Sequence, residues 1–241
     1  MSTAEQTTAI VTGGTRGLGR ELSLTAARAG YRVLALYHAD IDAAARLDEA
    51  FAEEQLSARS YRFDVTTQGA DATLWSEPEI AEAGGLMLIH NASSGFEPKP
   101  MHLLSWEEFS AALDVSLKGL WVCTMGVLRP MLKLGGGTVV SVLTTALLDR
   151  PPKGFTAYRA AKSAQQSFML SLAAEYGERG IRAFSIAPGF MHTSMTEDWH
   201  PTLKEAVLAG GAATEPAAVA ERTLALVRDP NVAGRGETYT V

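Results

Sequence analysis

Thr8 to Thr12 (Thr-Ala-Ile-Val-Thr) is a short apolar, β-branched run that ends in Gly13-Gly14-Thr15-Arg16-Gly17-Leu18-Gly19, after which Arg20 to Ala29 has the pattern of a helix. Strand, glycine turn, helix is the order that most narrows what this chain can become. Glycines at such a turn let the backbone approach a ligand closely, and they leave the N–H groups that open the helix free to hold a diphosphate. Tyr31 to Tyr37 supplies a second buried strand and completes a β-α-β unit of the length of a mononucleotide half.

The alternation continues along the chain. Ile41 to Gln55 is an amphipathic helix, and Ala58 to Phe63 a third strand with Asp64-Val65 at its tip. A helix is expected over Ala70 to Ala83, then a strand over Leu86 to Ile89 leading into His90-Asn91-Ala92-Ser93-Ser94-Gly95. Ser105-Trp106-Glu107-Glu108 has the form of a capping box, and its helix continues through Phe109, Leu113, Leu117, Leu120 and Trp121 until Pro130 ends or kinks it. Thr138 to Leu143 is strand five, with Thr144 and Thr145 at its carboxyl end, followed by a loop over residues 150–154. The helix that holds Tyr158 runs to about Glu178, and Ile181 to Ala187 is strand six. Pro188-Gly189-Phe190-Met191-His192-Thr193 is a loop, with a polar segment to His200 expected to act as a lid. Ala217 to Val227 is a last helix, and Thr238 to Val241 a short closing strand. With no internal repeat, this pattern predicts an α/β fold over residues 1–241: one doubly wound, Rossmann-type parallel sheet with helices on both faces, in a single domain.

Composition excludes several classes. The 241 residues are 46% hydrophobic and 20% charged, enough for a sizeable core, and the net charge of −6 without a basic run argues against nucleic acid or an anionic membrane as partner. Met1 to Thr8 has no apolar signal core and no run of about 18 apolar residues follows, so a cytoplasmic protein is expected. The single cysteine, Cys123, lies in an apolar run and reads as a packed core thiol. His102, His192 and His200 lack metal-ligand spacing, and no metal is expected.

Two groups point to chemistry. Tyr158 and Lys162 stand four residues apart and share a helix face. A phenol titrates near pH ~10, and a fixed ammonium beside it favours the phenolate, which makes the pair suited to general acid–base work. At the end of strand two the chain has Tyr37-His38-Ala39 in place of a carboxylate, while Arg16 sits in the glycine turn and Asp40 comes later, at the start of the next helix. A guanidinium without an acid at the strand tip favours NADP(H) over NAD. Asn91, at the carboxyl end of strand four, falls where such sheets bind ligands.

Five separated stretches together resemble the short-chain dehydrogenase/reductase family over nearly the whole chain: Thr12-Gly13-x-x-x-Gly17-x-Gly19, Asp64-Val65, Asn91-Ala92, Tyr158-x-x-x-Lys162, and Pro188-Gly189 with Thr193. The resemblance implies that Gly13, Thr15, Arg16, Gly17, Leu18 and Gly19 meet the cofactor at the glycine turn, with Tyr37, His38, Asp64 and Val65 on the adenosine side. Asn91, Ala92, Ser93, Pro188, Gly189 and Thr193 would line the rest of the dinucleotide. It further implies that Lys162 holds the nicotinamide ribose and lowers the pKa of Tyr158, which donates a proton to a substrate carbonyl as hydride arrives. A hydroxyl at the end of strand five polarises that carbonyl. The family serine is absent there: the common spacing of thirteen residues before Tyr158 selects Thr145, which is preferred, and alignment on the strand selects Thr144. Ser116 replaces a usual asparagine that helps to hold a water linked to the lysine, and Ser93 a usual glycine.

The resemblance leaves the substrate open between a small and a carrier-bound metabolite. Asn91-Ala92-Ser93-Ser94 is similar to the pteridine reductases, although these carry an aspartate where Thr145 stands and Asp149 is poorly placed to replace it. Val127 to Leu132 resembles the carrier-protein ketoacyl reductases. Phe96, Phe155, Phe190, Met191 and Met195 are expected to form an apolar pocket. A homodimer or homotetramer is expected through the helices of Trp121, Phe168 and Leu172, its second interface altered because the chain stops at Val241. The alternative to an NADPH-dependent carbonyl reductase is a cofactor-binding sensor or partner protein without turnover.

Overall fold

The computed structural model describes residues 6–66, 73–148, 152–193, 195–196, 199, 204 and 213–241. Seven strands form one parallel sheet: β1 (Thr7–Thr12), β2 (Arg32–Tyr37), β3 (Ala58–Arg62), β4 (Gly85–His90), β5 (Gly137–Val142), β6 (Ile181–Ala187) and β7 (Arg235–Thr240). Their spatial order is β3-β2-β1-β4-β5-β6-β7. The chain reverses direction across the sheet between β1 and β4, and in doubly wound sheets the crevice outside that switch point is where ligands bind.

Both faces of the sheet are covered by helices, which is why the central strands read as largely apolar runs. Ala9, Val11, Val33, Ala35, Met87, Ile89, Val140, Phe184 and Ile186 pack toward α1 (Gly17–Arg28), α2 (Ile41–Glu53) and α7 (Pro216–Arg228). The alternate residues, among them Ile10, Leu34, Leu88, Val139 and Ala183, pack toward α3 (Pro78–Ala81), α5 (Gly119–Lys133) and α6 (Thr156–Tyr176). Period-two alternation thus divides each strand between two cores.

The capping box at Ser105 is formed: the Glu108 N–H donates to Ser105 Oγ at 3.2 Å and the Ser105 N–H to Glu108 Oε2 at 2.9 Å. It opens α4 (Trp106–Leu113), which passes through a π-helical turn (Asp114–Lys118) into α5. Of the two outcomes expected at Pro130, an end to the helix does not occur there. The proline lies in the last turn, where its ring removes one hydrogen bond, and the helix continues to Lys133. The stretch Trp106–Lys133 is long and apolar enough to cross a membrane by length and composition, but half of its most apolar window is buried within the protein.

Three further expectations change. The helix expected over Ala70 to Ala83 begins outside the described residues, and its described part is a 3-10 turn (Leu74–Ser76) and the single turn of α3. Strand β7 starts three residues earlier than its apolar residues suggested. Leu172 is buried against the sheet and Phe168 is half-buried, so of the three residues placed at a subunit interface only Trp121 is exposed, with Met125 and Leu170 nearby on the same two helices.

The Trp75 ring is packed flat against Gly126, where a Cβ would lie 2.3 Å from Trp75 Cε2. Gly126→Ala is expected to cost about 1–3 kcal/mol by overpacking, read as a lower Tm in thermal unfolding, and Trp75→Leu in the same chain should recover part of it.

Candidate active site

A cleft of about 740 Å³ opens at the carboxyl ends of the strands. Its floor is the glycine turn between β1 and α1. Gly13 has φ +61°, and a Cβ on Gly19 would lie 1.9 Å from the Gly13 carbonyl oxygen, so this turn cannot carry side chains at either position. Arg16 at the N-cap of α1 makes no side-chain cap, and no acidic residue occupies the first turn. The opening N–H groups therefore face the cleft without a competing carboxylate, which is the donor set a diphosphate takes.

Gly13, Thr15, Arg16, Gly17, Leu18, Tyr37, His38, Asp64, Val65, Asn91, Ala92, Ser93, Thr144, Tyr158, Lys162, Pro188, Gly189 and Thr193 all line this one cleft, as the sequence reading grouped them. Gly19, Ser116 and Thr145 do not. Gly19 acts behind the turn, through close packing of α1. Thr145 opens a 3-10 turn (Thr145–Leu147) and its N–H donates to the Pro188 carbonyl at 3.0 Å, whereas Thr144 lies beside the Tyr158 phenol and its Oγ1 accepts the Ala146 N–H at 3.2 Å. Of the two threonines the sequence offers, Thr144 is the one that lines the cleft, and the register between β5 and β6 holds the strand end that presents it.

One hydroxyl ties the site together. Thr12 Oγ1 accepts the N–H groups of Asn91 and Ala92 at 3.1 and 3.0 Å, so its single proton goes to His90 Nδ1 at 3.0 Å. The imidazole therefore carries its proton on Nε2 and donates it to the Ser116 carbonyl in the π-helical turn, also at 3.0 Å. Ser116 thus meets the site through its backbone carbonyl. Burial, helped by the Lys162 charge, pushes His90 down to about 3 and keeps it neutral. Asn91 spends its amide N–H groups on the carbonyls of Thr12 and Gly13, at 3.2 and 3.1 Å, and so braces the turn.

Lys162 is buried, and its Nζ donates to the Val142 carbonyl at 2.8 Å, 5.8 Å from the centre of the Tyr158 ring. Burial pulls its amine down to about 7. The Tyr158 phenol is pushed up to about 12 by burial, against the opposing Thr144 hydrogen bond. Burial outweighs that bond, so the phenol stands above its ordinary value here.

Phe96 lies parallel to the Tyr158 ring with centroids 4.5 Å apart, and Phe155 meets it edge-on at 6.1 Å. Trp199 packs edge-on against Phe96 and Phe155 and its Nε1–H donates to the Phe96 carbonyl at 3.0 Å. Of the five residues expected in an apolar pocket, Met191 and Met195 line the cleft, while Phe96, Phe155 and Phe190 gather around Trp199. Sequence reasoning missed Trp199, which stands in a polar run. It also missed His90, whose only signal was its place beside Asn91. Asp149, His200 and most of the expected lid lie outside the described residues.

At the end of the cleft beyond β2, Arg16 is paired with Asp40 at 3.1 Å, and His38 Nε2 stands 3.7 Å from Asp64 Oδ2. Asp40, which also caps α2 by accepting from the Ala43 N–H, thus lines the cleft beside the Arg16 guanidinium.

The family model for short chain dehydrogenases matches residues 7–204. A 3-oxoacyl-(acyl-carrier-protein) reductase of Synechocystis is 30% identical over 97% of this chain and 94% of its own length, and one of Chlamydia trachomatis is 27% identical over 97% and 95%. The crystal structure of an actinorhodin polyketide ketoreductase variant with NADPH superposes with a TM-score of 0.87 at 23% identity, covering all of this chain and 97% of that one. The chain belongs to the short-chain dehydrogenase/reductase family, whose members are oxidoreductases that use nicotinamide cofactors.

Between pH 7 and 10.5 the unfolded chain holds a proton on Lys162 that the folded chain has released, so the fold gains stability as pH rises through that window. Below it both states are protonated and the burial penalty is complete. Lys162→Met is expected to raise Tm at pH 7 and to flatten the rise toward alkaline pH, as followed by thermal unfolding across that window.

Proposed function

We propose that this protein is an NADPH-dependent reductase that adds hydride to a ketone or aldehyde of a small or carrier-bound metabolite. The observation that carries the reading is a buried phenol beside Thr144 and one helical turn from a buried amine, at the edge of a cleft that opens at the glycine turn. The glycine turn, the uncapped start of α1 and the absence of acid in its first turn fit a diphosphate. Tyr37, His38, Asp64 and Val65 would hold the adenosine, and Ala92, Ser93, Pro188, Gly189 and Thr193 the nicotinamide half. Bound there, the dinucleotide supplies the hydride.

The rest falls to the protein. Tyr158 Oη donates its proton to the carbonyl oxygen as negative charge develops on it, and the Thr144 hydroxyl shares that charge by hydrogen bonding. Lys162, with a pKa of about 7, changes charge near neutrality and favours the tyrosinate left behind once it is protonated. Arg16 selects the 2′-phosphate in competition with Asp40. The carrier-bound class draws support from the two relatives named for acyl-carrier-protein substrates. A pteridine-type C=N reduction is the second reading, favoured by Ser93 and Ser94 in the cleft lining and by the flat Phe96 ring beside Tyr158. Substrates of the two classes, offered in parallel, separate these readings.

The same proposal makes the chain a single cytoplasmic domain that associates as a dimer or tetramer through the exposed Trp121, Met125 and Leu170. Light scattering is expected to give a dimeric or tetrameric mass, and Trp121→Glu to reduce it.

Tyr158→Phe should lower carbonyl reduction at least a thousandfold while NADPH still binds; turnover that survives this change would overturn the assignment of the acid. A protein that binds NADPH but reduces no carbonyl or dihydropteridine would be a sensor instead. Arg16→Ala is expected to weaken NADPH about tenfold or more and leave NADH nearly unchanged, by fluorescence titration, and Asp40→Asn to shift preference the other way.

A further inference from the structure

The carboxyl ends of four neighbouring strands carry hydrogen-bonding side chains in one row. Thr12 stands in register with His90, His90 with Ser141, and Ser141 with Ser185. Each lies two residues beyond Ile10, Leu88, Val139 or Ala183 on its own strand, so all four face the side covered by α5 and α6. The first half of the row is satisfied through the Thr12, His90 and Ser116 chain described above. The second half is not. Ser141 Oγ, Ser185 Oγ and both amide atoms of Gln165 find no partner among the described residues, although all three residues are completely buried.

Gln165 belongs to this place. It lies one turn beyond Lys162 on the stripe of α6 that continues through Met169 and Leu172 onto the sheet. Because β5 and β6 are parallel, α6 returns from their carboxyl ends toward their amino ends. Lys162 is fixed over Val142, so the next turn of the helix overlies the row of Ser141 and Ser185. The two serine hydroxyls stand on neighbouring strands in register yet do not bond to each other, and a strand spacing of about 4.8 Å suits a single bridging water. Burying an amide and two hydroxyls dry would cost several hydrogen bonds with no return, whereas a buried water makes about three.

We propose that Ser141, Ser185 and Gln165 form a buried water-binding site between β5, β6 and α6, directly beneath the Lys162 anchor. The water joins the helix that carries Tyr158 and Lys162 to the two strands under it, completing across β5 and β6 the polar row that His90 completes across β1 and β4. The site depends on packing alone and not on the reaction proposed above.

The test uses the full chain labelled with ¹⁵N. Cross-peaks between the Gln165 side-chain amide and long-lived water are expected in the wild-type protein and are expected to vanish in Q165M, whose side chain has nearly the same volume without the polar atoms. Q165M and S141A should each lower Tm by roughly 2–4 °C or more, and the double variant by less than the sum, because the two share one water. A dry site behaves in the opposite way: Q165M leaves Tm unchanged or raises it, and no water cross-peak appears. Additive losses in the double variant would also overturn a shared water. Should Q165M fail to fold, the wild-type cross-peaks and their loss in S141A decide the matter. Failure of carbonyl turnover leaves all of these readouts intact, so it is distinguishable from failure of this inference.

Discussion

The Thr12 hydroxyl is the contact on which the site's geometry rests. It stands at the tip of β1 beside the switch point of the sheet, accepts two successive N–H groups from the chain leaving β4, and donates to an imidazole on the same strand. Those bonds fix how β4 departs, and Asn91 then clasps the glycine turn from the other side. Through His90 the constraint reaches the π-helical turn, where one extra residue per turn aims a carbonyl inward. A valine in place of Thr12 would keep the shape but leave three polar groups unpaired in the interior, each more costly to strand than the bond itself is to make.

The buried pair illustrates a second tension. A lysine and a tyrosine placed away from water each resist ionisation, so the amine is drawn down and the phenol up. The fold holds them there with few compensations: a carbonyl for the amine, a threonine hydroxyl for the phenol, and aromatic rings along the tyrosine's face and edge. Such an arrangement lowers stability in a region whose packing could have been entirely apolar, which is the usual signature of residues kept for chemistry.

Much of the fold was legible because parallel strands buried on both faces are apolar throughout, and because the turn after β1 combines glycines that few other structures need. The assignment of strands β1, β2, β4, β5 and β6 followed from that alone. What was hidden depends on the third dimension. Thr144 and Thr145 are equivalent in the sequence, and only the register of β5 against β6 distinguishes them. Asp40 reads as the cap of a helix, which it is; that the same carboxylate reaches Arg16 depends on how the loop after β2 folds back toward α1. Trp199, in a run of polar residues, gives no local sign that it packs against Phe96 more than a hundred positions earlier. Pro130 does not stop α5 because a proline so near a helix's end removes only one bond.

The contact of Trp75 with Gly126 has a consequence for how such a chain can change over generations. The indole occupies the space that any side chain at position 126 would need. A larger residue there is tolerated only after the ring has been replaced by something smaller, while losing the ring first opens a gap that the glycine cannot fill. The two positions are therefore locked in order: descent from this sequence passes through a weakened intermediate whichever site moves first, and lineages that have crossed should differ at both together.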